Sequence, residues 1–187
     1  MPAKPVPLTD LEGHILAGLM QTPNATAYDV MKALGTCPLS NLSASAGSIY
    51  PAVKRLRERG LIAAKAGRTG QRAHETLKVT RAGSKAVRDW VRQVSPSDLL
   101  PHDPLRTKLL FVGLLSPAEK ERWLRDLRDG LTTVTQAVKA VGVDDGRMEL
   151  AVANALATVR QRRTLIDKLE ADVAAAPAAE AAEADAD

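Results

Sequence analysis

The basic side chains between Ser45 and Arg72 carry the clearest potential for binding chemistry. This stretch predicts a short basic helix, a left-handed stop at Gly60 and a small basic hairpin. Because an α-helix turns about 100° per residue, Pro51 and Lys54 face away from the apolar stripe of this helix. The stripe itself comprises Ile49, Ala52, Val53 and Leu56. Such a helix fits the major groove of double-stranded DNA, with the hairpin tip along the backbone.

Side chains on and beside the outward face of this helix are candidates for DNA contact. We expect the helix to contact base edges and the hairpin to contact phosphates, which give affinity without sequence choice. The candidates are Ser48, Tyr50, Pro51, Lys54, Arg55 and Arg57 on the helix, and Lys65, Arg68 and Arg72 on the hairpin. For Lys54, Arg55 and Arg57 the alternative is a solvated basic face, and for Tyr50 it is packing.

The charge distribution favours DNA contact over a merely solvated face. The whole chain carries a formal charge of +4. Residues 1–95 contain 14 Lys and Arg against 6 Asp and Glu, whereas residues 96–187 contain 12 against 16. A strongly basic first half beside a weakly acidic second half predicts a nucleic-acid-binding part joined to a part with another role.

Catalytic and metal-binding functions find no support in the sequence. Cys37 is the only cysteine, and His14, His74 and His102 are scattered, so we expect no disulfide, zinc site or other cofactor. No carboxylate pair, nucleophile set or phosphate-binding loop points to an enzyme. We find no signal peptide and no apolar run of membrane-spanning length, and therefore expect a cytoplasmic protein without a membrane partner.

The elements that position the basic stretch form a recognisable order. Thr9 and Glu12 make a capping box for a first helix, and Thr26 caps a second one. The basic helix follows, then strands at 61–65 and 73–79 joined by a turn at 67–71, and a fourth helix from Thr80. Its predicted apolar stripe is Val87, Trp90, Val91 and Val94. This order predicts a mainly α fold: a winged helix-turn-helix domain over residues 8–95, with a two-stranded wing.

A helical dimerisation domain is predicted over residues 96–173. A short apolar helix around residues 105–114 precedes two long helices whose apolar residues alternate spacings of three and four. One such hairpin leaves apolar surface uncovered, so we expect a homodimer. The candidate dimerisation residues are Leu109, Leu124, Leu127, Leu131, Val152, Val159, Ile166 and Leu169. Residues 174–187 form an acidic, Ala-rich tail that we expect to be disordered.

The motif Gly47-Ser48-Ile49-Tyr50-Pro51 resembles that of the PadR family of bacterial transcriptional regulators. The resemblance extends to residues 28–34, 77–83 and 108–119, and covers roughly residues 8–172. It implies a homodimeric winged-helix regulator, often a repressor, whose third helix and wing meet operator DNA. Ser48, Tyr50 and Pro51 match the DNA-contacting motif, and Arg68 matches a wing arginine. In the second wing strand, Ala73 and His74 depart from the family's aromatic pattern.

Three aromatic residues are candidates for a small-molecule effector pocket. Trp90, Phe111 and Trp123 could line such a pocket, as in family members that sense aromatic compounds, although core or interface packing is the alternative. Repression and activation both stay open, because the sequence does not place the binding site relative to a promoter. A different class of function is a winged-helix protein-interaction module without DNA sequence specificity.

Overall fold

The computed structural model describes residues 6–184 apart from 41, 43, 70, 71, 144 and 145. The side chains of residues 68, 69, 72, 73 and 176–184 also lie outside the described part. The chain divides into two compact units, Met1–Pro101 and His102–Asp187, called the N-terminal and C-terminal units below.

The N-terminal unit is a winged helix-turn-helix with one antiparallel two-stranded sheet. Its elements are α1 (Asp10–Gln21), α2 (Ala27–Gly35), α3 (Ala46–Glu58), β1 (Ile62–Thr69), β2 (Arg72–Val79), α4 (Arg81–Arg92) and the short α5 (Pro96–Leu99). Both predicted caps form, since the hydroxyls of Thr9 and Thr26 each accept the backbone N–H three residues on. The predicted fold class is confirmed.

A single apolar core holds the helices and the wing together. Ile15, Leu16, Ile49 and Leu56 are fully buried, and residues of α2, both strands and α4 complete the cluster. The predicted stripe of α3 is therefore its core face, because residues spaced three and four apart lie on one side of a helix. Val53, the remaining stripe residue, is only half-buried.

The wing strands are longer than the sequence predicts. Pairing continues outward from Ile62 opposite Val79 to Thr69 opposite Arg72, so the predicted turn at 67–71 is wrong for residues 67–69. Residues 70 and 71 of that turn lie outside the described residues. Gly67, which favours a turn by residue type, is paired opposite His74. A Cβ at Gly67 would lie 2.8 Å from the His74 ring, so glycine here makes room for that ring.

The fourth helix buries a narrower face than its sequence pattern predicts. Val87 and Gly83 are buried and Trp90 is half-buried, but Val91 is 68% exposed. Val94 is also exposed because α4 ends at Arg92, before that residue. The prediction of a four-residue stripe is therefore wrong for its last two valines.

The C-terminal unit begins with irregular short elements rather than the single apolar helix expected. These are α6 (Pro104–Leu109) and a 3₁₀ turn (Val112–Leu114), with Phe111 between them. The side chains of Leu110, Phe111 and Leu114 are exposed on this segment. An apolar run that contains Gly113 lacks the length and polar face that sustain a regular helix.

Two long helices make up the rest of this unit: α7 (Pro117–Lys139) and α8 (Gly146–Ala184). They pack against each other as the predicted hairpin, and α7 starts with the expected capping box of Ser116 and Glu119. The tail predicted to be disordered from Ala174 is helical to Ala184, because alanine and glutamate favour helix intrinsically. Among the described residues, no helix is sufficiently long and apolar to cross a membrane.

Candidate nucleic-acid interface

The exposed side of α3 is the centre of the candidate interface. Ile49, Ala52 and Leu56 fix the opposite side in the core, so the remaining positions are turned outward by helical geometry. Tyr50 is 49% exposed, and Pro51 and Lys54 are exposed beside it. Pro51 lies in the second turn of α3, where it removes a backbone donor without interrupting the helix.

A buried carboxylate joins α1 to the end of α3. The side chain of Glu12 is 3% exposed and accepts Arg55 Nε at Oε1 and Arg59 Nη1 at Oε2, both at 3.0 Å. Glu12 Oε2 also accepts the backbone N–H of Thr9 at 3.2 Å, which completes the capping box of α1. We call Glu12, Arg55 and Arg59 the Glu12 clamp. The structure thus directs Arg55, a predicted groove contact, to a carboxylate of its own chain.

Two further ion pairs lie at the surface of α3. Arg57 Nη1 is 3.3 Å from Glu75 Oε2 on β2, and Lys54 Nζ is 3.9 Å from Glu58 Oε1 one turn later. All four side chains are more than half exposed. Exposed pairs of this kind contribute at most about 1 kcal/mol, so a DNA phosphate could replace either carboxylate at little cost.

The wing places its basic residues along a twisted two-stranded ribbon. Lys65 is exposed on β1 opposite Thr76, whose hydroxyl donates to the Lys65 carbonyl at 3.3 Å. Arg68 and Arg72 lie near the tip by register, but their side chains are outside the described residues. Their predicted phosphate contacts therefore stay predictions.

The base of the wing is locked against α4. The Thr80 hydroxyl donates to the carbonyl of Gly60 at 2.8 Å, and the Thr80 N–H donates to the carbonyl of Leu61 at 3.0 Å. Gly83 packs so closely that a Cβ there would lie 2.1 Å from the Leu61 carbonyl oxygen. This close approach fixes where the wing leaves the core, and hence its position beside α3.

The three aromatic residues proposed for an effector pocket are divided between the two units. Phe111 and Trp123 line a cavity of about 540 Å³ in the C-terminal unit, with His102 and Lys108 on its wall. Trp90 instead packs in the N-terminal unit, edge-on to His14 with ring centroids 5.4 Å apart. It also lies against α1 where a Cβ at Gly13 would clash with its indole. These contacts favour the packing alternative for Trp90.

The first residues of the C-terminal cavity wall are anchored to α8. Asp103 caps α6 by accepting the Leu105 N–H at 3.0 Å, and its Oδ1 also lies 2.7 Å from Arg162 Nη2 on α8. The Arg162 hydrogen bond holds the pKa of the Asp103 carboxyl below its usual range. Arg162, which interrupts an apolar seam in the sequence, is thus the link between α8 and α6.

Several predicted dimerisation residues are used within the hairpin of one chain. Leu124, Val159 and Ile166 are buried between α7 and α8, so they are not available to a partner surface. The other predicted residues are half-buried; they are Leu109, Leu127, Leu131, Val152 and Leu169. The large apolar side chains that the C-terminal unit leaves exposed are different ones, namely Leu110, Phe111, Leu114, Val134, Val143, Met148 and Leu150.

Sequence reasoning missed two residues that build the interface. The sequence assigned Glu12 only to helix capping. Glu12 lies three, four and seven residues before Ile15, Leu16 and Leu19, and this spacing places it on the core face of α1, which indicates burial. Gly83 carried no such signal, because its role depends on the distant carbonyl of Leu61.

Comparison with known proteins gives consistent results for fold and family. Residues 15–89 match the model of the transcriptional regulator PadR-like family. Bacillus subtilis PadR in complex with operator DNA is similar in structure, with a TM-score of 0.66 and 22% identity over 89% of this chain and 98% of that one. PadR from the same organism in complex with p-coumaric acid gives 0.63 and 21%, over 88% and 96%.

A third similar structure is the Vibrio cholerae virulence activator AphA. Its TM-score is 0.61 at 20% identity, over 90% of this chain and 99% of that one. Among curated protein sequences, none matches the chain significantly. The family match runs from within α1 to within α4 and includes α2, α3 and the wing, the elements that build the candidate interface. The winged-helix domain is therefore the part of this chain that matches the transcriptional regulator PadR-like family.

Proposed function

We propose that this regulator is a homodimeric repressor that binds a pseudo-palindromic promoter site. The observation that carries the proposal is the outward face of α3, where Tyr50, Pro51 and Lys54 are exposed on a helix whose other side is fixed in the core. Ser48, near the start of α3, lies beside these residues. We call the outward surface formed by Ser48, Tyr50, Pro51 and Lys54 the reading face. Side chains near the start of a recognition helix reach base edges in the major groove.

The uncovered apolar surface of the C-terminal unit supports the proposed dimerisation. Leu110, Phe111 and Leu114 are each at least 60% exposed, which is unfavourable for three large apolar side chains close together. A second copy of the chain would cover them and present two α3 helices to DNA. Two-fold symmetry then requires half-sites about one helical turn, roughly 10 bp, or a multiple apart.

The wing supplies affinity rather than sequence choice in this proposal. Lys65, Arg68 and Arg72 would neutralise phosphates beside the groove that α3 occupies. If two protomers together meet about six phosphates, log K should fall against log[salt] with a slope of about −5. A flat response to salt would exclude a phosphate clamp by the wing.

Selection from a library of random duplexes tests the proposal directly. We expect wild-type protein to enrich one pseudo-palindromic sequence, and Tyr50→Ala combined with Lys54→Ala to abolish that enrichment. Substitution of exposed Met20 on α1 by serine is the matched control and should leave enrichment intact. A wild-type protein that enriches no sequence would instead support a protein-interaction module. A reporter downstream of the enriched site then distinguishes repression from activation.

We also propose that a small molecule releases the DNA by binding the C-terminal cavity. Phe111 and Trp123 offer apolar walls in a cavity of about 540 Å³, a volume typical of small-molecule sites. Bacillus subtilis PadR, which has the same fold, forms a complex with the small aromatic molecule p-coumaric acid, and this supports a ligand site in the present chain. Quenching of Trp123 fluorescence by a compound that also dissociates the enriched duplex would identify an effector.

A further inference from the structure

We infer that the Glu12 clamp is a positioning device for DNA recognition, in which Arg55 acts through Glu12 and not by contacting DNA. The inference rests on the proposed function, since it assigns a role to residues behind the proposed reading face. It concerns the discrimination between sequences, which the clamp would control by fixing the orientation of α3.

The clamp contains the directional contacts that the core lacks. The apolar contacts of Ile49, Ala52 and Leu56 hold α3 on the core, but apolar attraction is non-directional and tolerates small rotations and shifts. Hydrogen bonds between guanidinium and carboxylate groups are short and directional. Two of them, from residues one helical turn apart, fix both the rotation of α3 and its shift along α1.

Charge and burial explain why both arginines stay with Glu12. The carboxylate is almost fully removed from water, and a buried charge is tolerated only when it is paired and hydrogen-bonded. Arg55 and Arg59 each occupy a separate oxygen, and the Thr9 N–H takes a further acceptor position on Oε2. Moving Arg55 onto a phosphate would leave Oε1 without this partner inside the protein.

The consequence falls on base reading more than on overall affinity. A bidentate or close contact from Tyr50 or Lys54 to a base edge depends on distances of a few tenths of an ångström, whereas attraction of the wing to phosphates does not. A loosened clamp should therefore relax discrimination at several base pairs of the site at once. Loss of one direct base contact relaxes only the position contacted.

The test compares binding of full-length variants to two duplexes: the sequence enriched by the wild type and a shuffled duplex of equal length and composition. Arg55→Gln should lower the ratio of specific to non-specific affinity by at least about tenfold, the cost of roughly one mismatched base pair. Its non-specific affinity and salt slope should equal those of the wild type. Reselection from random duplexes should show relaxed preference at several positions.

Glu12→Gln should reproduce that relaxed profile, and the double variant should be no worse than either single one, because the residues act as one unit. Arg55→Lys keeps the charge but loses the planar fork, so it should not restore discrimination. Lys54→Gln is the matched control from the exposed face, and should change base preference only at the position that Lys54 contacts.

Thermal unfolding establishes that each variant is folded at the temperature of measurement. If Glu12→Gln does not fold, Arg55→Gln still tests the inference, because it replaces a side chain that is 51% exposed.

Two results would overturn the inference. One is an unchanged ratio of specific to non-specific affinity in Arg55→Gln. The other is a salt slope shallower by roughly 2 for a dimer, together with uniformly weaker binding to both duplexes, because that pattern means two lost phosphate contacts. A wild-type protein that enriches no sequence would refute the proposed function itself, and is distinguishable from both.

Discussion

The two units of this protein bury apolar surface to different extents. In the N-terminal unit, twelve buried apolar residues from the helices and the wing form one cluster. In the described part of the C-terminal unit, the buried apolar residues are Leu124, Val138, Val159 and Ile166, spread along one helical hairpin. Helices and strands that pack around a core from several sides close that core within one chain. A pair of helices leaves its outer faces in water. The N-terminal unit thus has a closed apolar core, whereas the C-terminal unit leaves large apolar side chains exposed.

The polar contacts follow the same division. The carboxylate of the Glu12 clamp is buried beneath α3, and its loss would leave Arg55 and Arg59 without their shared counter-ion. On the hairpin, Arg128 pairs with Asp167 and Glu170 at the surface, and these carboxylates raise the pKa of its guanidinium. Water and salt screen such exposed ion pairs. These pairs therefore set the register of α7 against α8 but contribute little to the free energy of unfolding.

The largest expected effect is on the N-terminal core. Leu56→Ala should lower the free energy of unfolding of that unit by about 3–5 kcal/mol, because it leaves a cavity among fully buried neighbours. Each unit contains one of the two tryptophans, so Trp90 reports on this unit in a Trp123→Phe background. Urea unfolding followed by Trp90 fluorescence measures the loss. Ile166→Ala in the other unit is the control, and an equal shift of Trp90 unfolding by both variants would contradict separate cores.

Association should be the next largest contribution, and it should fall on the C-terminal unit. At a protein concentration 100 times the dimer Kd, pairing stabilises the folded state by about 2.7 kcal/mol. Leu110→Ser with Leu114→Ser should remove this gain and the concentration dependence of the melting temperature. Sedimentation should then show a monomer, while Met20→Ser, on the exposed surface of α1, should stay dimeric. A wild-type monomer at micromolar concentration would show that the exposed residues need no partner.

The sequence predicted most where local periodicity decides the outcome. The core face of α3, the caps at Thr9 and Thr26 and the α7–α8 hairpin depend on residues close in sequence, and the structure has them as expected. The length of the wing and the C-terminal end of α4 were wrong, because strand pairing and tertiary contacts overrode glycine and valine patterns. For the candidate site, side-chain type gave the exposed residues Tyr50 and Lys54. Side-chain type could not predict that Arg55 pairs with Glu12, because the two residues lie 43 positions apart in the sequence.

The close approach of α4 to the base of the wing gives a third prediction. Gly83→Ala should destabilise the N-terminal unit by about 2 kcal/mol, because the new methyl group would meet the Leu61 carbonyl and backbone cannot move aside cheaply. Gly18→Ala on α1 is the matched control: nothing lies within 4 Å of the added Cβ, so it should stabilise by about 0.5–1 kcal/mol. Thermal unfolding of both variants measures the difference. Similar effects of the same sign would refute the close contact.

The smallest predicted effect concerns acid and the C-terminal unit. The pKa of the Asp103 carboxyl is lowered in the folded state, chiefly by the Arg162 hydrogen bond. The folded state therefore binds this proton less readily than the unfolded chain does. The resulting stability is present above the ordinary carboxyl pKa, about 3.9, and is lost as pH falls through the lower folded value.

Asp103→Asn should remove about 1.5 kcal/mol at pH 7, the amount typical of a hydrogen bond to a charged group, and progressively less in acid. The free energy of unfolding, followed by Trp123 fluorescence in a Trp90→Phe background between pH 7 and the acid limit of folding, should thus converge for Asp103→Asn and the parent protein that retains Asp103. Arg162→Met should reduce the same pH-dependent difference, because it removes the partner that causes it. A constant gap between Asp103→Asn and the wild type at every pH would mean that capping of α6, and not the charge on Asp103, anchors this segment to the hairpin.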